Sequence, residues 1–152
     1  MKSTLSESAT TTLTLQRTVS AQPEKVWHAW TDGTTLKRWF GPQGCDILEA
    51  ELDLKPGGRW RIAMASPDGG QHEVGGRYIC IEPPSRLAFT WAWHNTPQRE
   101  SQVTVELAPA DDGTRLTLTH ERFADTAARD RHAEGWISSL PRLFRVLGTP
   151  SS

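Results

Sequence analysis

The chain has 152 residues, with 17 Lys+Arg against 18 Asp+Glu and a net charge of −1. That length suits one domain and suffices to bury a core. The charge balance gives no electrostatic reason to expect nucleic acid or an anionic surface, and no run of about 18 apolar residues is present to span a bilayer.

The first residues, MKSTLSESATTT (1–12), are rich in Ser and Thr and have no apolar h-region, so a flexible tail is expected rather than a secretory signal. A cytoplasmic location follows, with Cys45 and Cys80 as buried free thiols. One domain is expected over 13–148, with 149–152 as a short C-terminal tail. LTLQRTV (13–19) reads as a strand. In SAQPEKVWHAWTD, Pro23 suits the first turn of a helix and Glu24 sits near its positive end. Val26, Trp27 and Trp30 form its apolar stripe, and Asp32-Gly33 ends it. TTLKRWF (34–40) reads as a second short helix stopped by Gly41-Pro42.

From here the hydrophobic period is two. Residues 46–54 alternate, with Leu48, Ala50, Leu52 and Leu54 on one face. GRWRIAM (58–64) places Trp60, Ile62 and Met64 together, with Arg59 and Arg61 on the opposite, solvated face, available to Glu49, Glu51 or Glu106. Pro67-Asp68-Gly69-Gly70 is a hairpin turn leading to a long strand over 71–82. Gly75-Gly76 within it predicts a bulge or bend. Pro83-Pro84 turns into LAFTWAWHN (87–95), where Leu87, Phe89, Trp91 and Trp93 share one face. Val103, Val105 and Leu107 alternate in the next strand. Asp111-Asp112-Gly113 then turns into RLTLTHE, which puts His120 on the inward face of Leu116 and Leu118. Asp125 or Thr126 caps a last helix whose stripe is Ala133, Trp136, Ile137, Leu140, Leu143, Phe144 and Leu147. Pro141 should kink it, and Gly148 and Pro150 end it.

The fold class expected is therefore α+β: an antiparallel six- or seven-stranded curved sheet on one long C-terminal helix, with two short helices after strand 1. A straight helix on a curved sheet cannot touch it everywhere, so a pocket is expected between them. The composition says what lines it. There are seven tryptophans against one tyrosine, and Trp60, Phe89, Trp91, Trp93 and Trp136 should converge on the concave face. The expected pocket residues are these five with Trp39, Phe40, Met64, His120 and Leu140. An apolar ligand losing about 300 Å² gains roughly 7 kcal/mol gross, against about 4 kcal/mol or more for association. Binding is then millimolar to micromolar unless polar groups add to it.

Catalytic constellations are absent from the sequence. There is no G-x-S-x-G, P-loop or dinucleotide fingerprint. Five histidines show no H-x3-H or C-x-x-C spacing, so no metal or other cofactor is expected. His132-x-Glu134 lacks the P-C-x-x-C of a nucleobase deaminase. His120 is the one candidate for acid–base work, either as a buried, hydrogen-bonded ring or as a polar group that orients a ligand or moves a proton.

The order of elements, together with VWHAWTDGTTLKRWFGP (26–42), KPGGRWRIAM (55–64), GGRYICIEPPSRLAFTW (75–91), DGTRLTLTH (112–120) and HAEGW (132–136), resembles the START/SRPBCC helix-grip superfamily. That superfamily includes the pollen-allergen proteins. Within it the chain is similar to homologues of the activator of the heat-shock-protein-90 ATPase, over about residues 13–148. The resemblance implies a cavity for an apolar small molecule. It also leaves two other readings: a cyclase- or hydratase-like enzyme using His120, and a co-chaperone-like interaction domain. The chaperone activators carry a further N-terminal domain, and only about twelve residues precede strand 1 here, so a chaperone partner is doubtful. A monomer or a homodimer through an exposed edge strand fits the sequence equally.

Overall fold

A computed structural model describes residues 11–41 and 44–148. The tails expected over most of 1–12 and over 149–152, with Pro42 and Pro150, lie outside the described residues. The chain runs β1 (Leu13–Val19), α1 (Pro23–Thr31), α2 (Gly33–Leu36), β2 (Asp46–Leu52), β3 (Arg59–Ala65), β4 (Gln71–Glu82), β5 (Arg86–Trp93), β6 (Ser101–Ala110), β7 (Gly113–Glu121) and α3 (Thr126–Val146). The strands form one curved antiparallel sheet in the order β1-β7-β6-β5-β4-β3-β2. Every neighbour but one is a hairpin partner; β1 returns to pair with β7, leaving β1 and β2 at the edges.

Alternation sets the buried face as expected. Trp60, Ile62 and Met64 of β3, Leu87, Phe89 and Trp91 of β5, Val103, Val105 and Leu107 of β6, and Leu116, Leu118 and His120 of β7 are all buried. On the far face Arg61 meets Glu49 at 2.6 Å, Glu73 at 3.4 Å and Glu51 at 3.5 Å. Glu106 instead stands opposite Arg86. Helix α1 carries Pro23 in its first turn and buries Val26, Ala29 and Trp30. Asp125 caps α3, accepting the Ala128 N–H at 2.8 Å. The helix continues through Pro141, which supplies no N–H to the carbonyl of Ile137.

Four local expectations are corrected. Helix α2 is only Gly33–Leu36; the chain beyond it turns through Lys37–Trp39, bonded from Arg38 N to Thr35 O and from Trp39 N to Leu36 O. In β2 the register shifts between Ile47 and Glu49. This bulge turns Leu48 out to 45% exposure, and Leu54, beyond the strand end, is 39% exposed. Ile47, Ala50 and Leu52 pack on the core instead. Ile137 is 50% exposed while Ser139 is buried. Ile137 lies about 100° around the helix from Trp136, outside the buried arc, which extends the other way. Cys45 and Cys80 are free thiols, but each is half-buried rather than buried.

At Gly75-Gly76 the irregularity takes a different form from a simple bulge. The β4–β5 pairing runs through Gly75↔Ala92 and resumes at Tyr78↔Phe89, with the register shift falling later, between Tyr78 and Cys80. In the gap the Trp60 indole N–H donates to Thr90 O at 3.0 Å, and Arg77 N donates to Thr90 Oγ1 at 2.8 Å. A side chain from each neighbouring strand replaces the ladder there.

Candidate functional site

Between β5 and α3 lies a cavity of about 250 Å³. Its walls are Phe40, Met64, Trp91, Trp93 and Trp136. The rings brace one another: Trp91 stands 5.4 Å from Trp136, 5.9 Å from Trp93 and 5.8 Å from Phe40, and Phe40 meets Trp136 edge-on at 5.9 Å. One flank of α3 completes the enclosure with Arg131, His132, Gly135 and Ser139. Ser139 Oγ lies 2.8 Å from Gly41 O and 2.8 Å from Gly135 O, and the Arg142 guanidinium also donates to Gly41 O. The turn after α2 is thereby fixed to the helix. Outside Met64, Trp93, Arg131 and His132 the cavity meets a wider bowl of about 530 Å³, edged by Cys45, Ser66, His72 and Asn95.

Two indole–imidazole pairs hold the walls. Trp136 Nε1–H donates to His120 Nδ1 at 3.0 Å, which fixes the neutral tautomer: Nδ1 accepts, so the ring proton is on Nε2. That proton reaches Ser101 Oγ at 2.8 Å, and Ser101 donates to Trp91 O at 3.2 Å. Trp93 Nε1–H donates to His132 Nε2 at 2.9 Å, so His132 carries its proton on Nδ1 and donates to Ala128 O at 2.7 Å. Burial, then the neighbouring His132, pushes the His120 imidazole well below its ordinary pKa. Burial also lowers His132, against the opposing pull of its bond to Ala128. Acid–base work by His120 would first require its one lone pair to be released from Trp136. Trp30 and Trp91 keep indole N–H groups without a hydrogen-bond acceptor among the described protein groups.

Residues 20–148 match the family described as activator of Hsp90 ATPase homolog 1-like protein. The chain belongs to this family. Among solved structures it is similar to the AHSA1 protein from Silicibacter pomeroyi, with 34% identity and a TM-score of 0.79 over 90% of this chain and 97% of that one. A protein from Chromobacterium violaceum is 30% identical, with a TM-score of 0.79 over 89% and 96%. One from Nitrosomonas europaea is 26% identical, with a TM-score of 0.80 over 92% and 96%. Among curated proteins, none matches the chain.

In this family member the residues singled out from the sequence fall in three places. Phe40, Met64, Trp91, Trp93 and Trp136 stand together on the cavity. Trp60 and Phe89, 5.3 Å apart, line a separate void of only about 20 Å³. Trp39, Leu140 and His120 are in the packed interior, with Trp39 donating to Ala29 O at 3.0 Å and His120 behind Trp91 at 5.2 Å. Arg131, Gly135 and Ser139 were not visible as cavity residues from hydrophobic patterning, because none of them is apolar and bulky. A glycine in mid-helix was the one signal that could have marked this flank. No group of three or more His, Cys, Asp or Glu among the described residues could hold a metal. Among them, too, no helix is long and apolar enough to cross a membrane.

The two neutral histidines predict how stability responds to acid. In the unfolded chain each takes up a proton near its ordinary value of about 6.5; in the fold each resists it. Below that value the unfolded state binds more protons, so stability is fully present above about pH 7 and falls as pH drops. Urea denaturation should show a decline between about pH 6.5 and 5, of up to roughly 1.4 kcal/mol per pH unit for each histidine. A flat profile over that window would show that the rings are not held neutral.

Proposed function

We propose that this protein binds a small apolar ligand, the size of one or two fused aromatic rings, in the cavity between β5 and α3. The observation that carries this reading is the cavity itself, about 250 Å³ walled by three indoles, a phenyl ring and a thioether. The size falls just below the roughly 300–1,000 Å³ of pockets that hold drug-sized ligands. At an interior packing density of about 0.74 it accepts roughly 185 Å³ of ligand atoms. Two wall rings are fixed by hydrogen bonds before any ligand arrives, so little ordering entropy is lost on binding.

Gly135 supports the same reading. Glycine inside a helix costs about 1 kcal/mol relative to alanine. Packing does not require it here, since an added Cβ would meet no heavy atom within 4 Å. What a side chain at Gly135 would do is occupy the flank of the cavity. The test is a tryptophan fluorescence titration with fatty acids, flavonoids and naphthalene-sized aromatics, on the parent and on two variants. Gly135→Ala is expected to raise stability by about 0.5–1 kcal/mol. Gly135→Leu is expected to fold at least as well as the parent and to lose binding by tenfold or more. Binding by no probe, or undiminished binding by Gly135→Leu, would remove the basis of the proposal.

A further inference from the structure

We infer that the ligand is an anion: a flat aromatic carboxylate whose rings fill the indole-walled cavity and whose carboxylate sits at the mouth against Arg131. This inference rests on the apolar-cavity reading and adds the charge of the occupant. Its basis is the sign of the groups around the opening. Arg131 lines both the cavity and the outer bowl. It is exposed and makes no ion pair with any described residue, whereas its neighbour Arg129 is paired with Asp130 at 2.9 Å. The two histidines of the region add no charge, because both are held neutral with their ring nitrogens engaged.

Carboxylates are kept out of the lining of the same surface, although Asp46 and Asp68 act on the Cys45 thiol at the bowl's edge. The chain has 18 Asp and Glu, yet none lines the cavity or the bowl among the described residues. Asp68, the carboxylate next to Ser66 on the bowl's edge, is turned to its own hairpin, accepting from Ser66 Oγ at 2.5 Å and from Gly70 N at 2.9 Å. A second cation stands behind the wall: Arg142 donates to the carbonyl of Gly41, a cavity residue. In a protein of net charge −1, this apolar-walled hollow therefore carries Arg131 at its mouth and no carboxylate in its lining.

The chemistry of the ligand follows. A purely apolar occupant of this size reaches only about millimolar to micromolar affinity. A carboxylate facing Arg131 would add a charge-assisted contact at the edge of an apolar enclosure, where water screens it less than on an open surface. A cationic or zwitterionic ligand would meet repulsion there and find no acidic partner.

The experiment compares 2-naphthoate with 2-naphthamide, which share ring area and differ in charge, by titration calorimetry on the parent, Arg131→Gln and Gly135→Leu. The parent should bind naphthoate about tenfold more tightly, which is about 1.4 kcal/mol. Arg131→Gln, a change at an exposed side chain, should bring the two ligands to within about threefold by weakening naphthoate more than naphthamide. Raising the salt concentration should weaken naphthoate alone. Equal binding of the two ligands by the parent, or a preference that survives Arg131→Gln, overturns the anionic assignment. The cavity reading survives that result if Gly135→Leu still loses both ligands. If neither ligand binds the parent, both inferences fall.

Discussion

Gly76→Ala is expected to cost about 3 kcal/mol, although it adds a single methyl group. The reason lies in the interrupted stretch between β4 and β5. A Cβ at Gly76 would land on the carbonyl oxygen of Thr90, with Thr90 C and Oγ1 also in the way at 2.5 and 2.6 Å. The obstacle is backbone, so no rotamer change relieves it. Thr90 cannot withdraw freely either. Its carbonyl holds the Trp60 indole N–H at 3.0 Å and its hydroxyl holds the Arg77 amide at 2.8 Å. Moving Thr90 away leaves a buried indole donor unpaired, at about 1–3 kcal/mol, and separates the strand that carries Trp91. Equilibrium urea denaturation of Gly76→Ala beside Gly135→Ala gives a direct contrast, since the second adds the same methyl to open space and should stabilise. A Gly76→Ala variant within about 0.5 kcal/mol of the parent would mean that Thr90 does not approach this closely.

The same pair of glycines shows what sequence reasoning reaches. Two adjacent glycines in a strand predict a bulge or a bend, and the structure shows a close approach of Thr90 there instead. What they approach was not legible, because it depends on which strand lies alongside and on a side chain, Trp60, two strands away from Thr90. Strands and hairpins were legible because a period of two and turn residues such as Pro67-Asp68-Gly69-Gly70 are local signals. Leu48 misled because a bulge moves one residue out of step without any change in apolar spacing. The strand wall of the cavity was legible for the same reason as the sheet: parity puts Trp91 and Trp93 on the face of Phe89. The helix wall was not. A stripe drawn through the large apolar residues of α3 centres on Leu140 and Phe144, whereas Arg131, Gly135 and Ser139 recur at i, i+4 and i+8 on the adjoining flank. The bulky residues mark where α3 packs, and the small and polar ones mark where it stands off.

Trp136 joins the two roles of the helix, and replacing it separates them. Trp136→Ala is expected to cost about 4 kcal/mol, within the range for deleting a buried aromatic ring. The ring touches Trp30 at 5.8 Å, Phe40 at 5.9 Å and Trp91 at 5.4 Å, so the loss opens the cavity into the packed interior. Trp136→Phe keeps much of that packing and removes the N–H. His120 Nδ1 then has a buried lone pair with no donor, which costs about 1–3 kcal/mol. The same change alters how the ring titrates. Nδ1 is the only unprotonated nitrogen of the neutral ring, and in the parent it is occupied by the indole proton. Once released it can accept a proton from solvent, so the His120 pKa should rise toward its ordinary value, with burial and the neighbouring His132 still holding it down. Stability should therefore begin to fall over a narrower interval below pH 6.5 than in the parent. Imidazole resonances followed by NMR across pH 4–8, with urea denaturation at each pH, give both readouts. A Trp136→Phe variant as stable as the parent, with His120 titrating unchanged, would reduce Trp136 to a filler of space and leave the tautomer of His120 to be set by Ser101 alone.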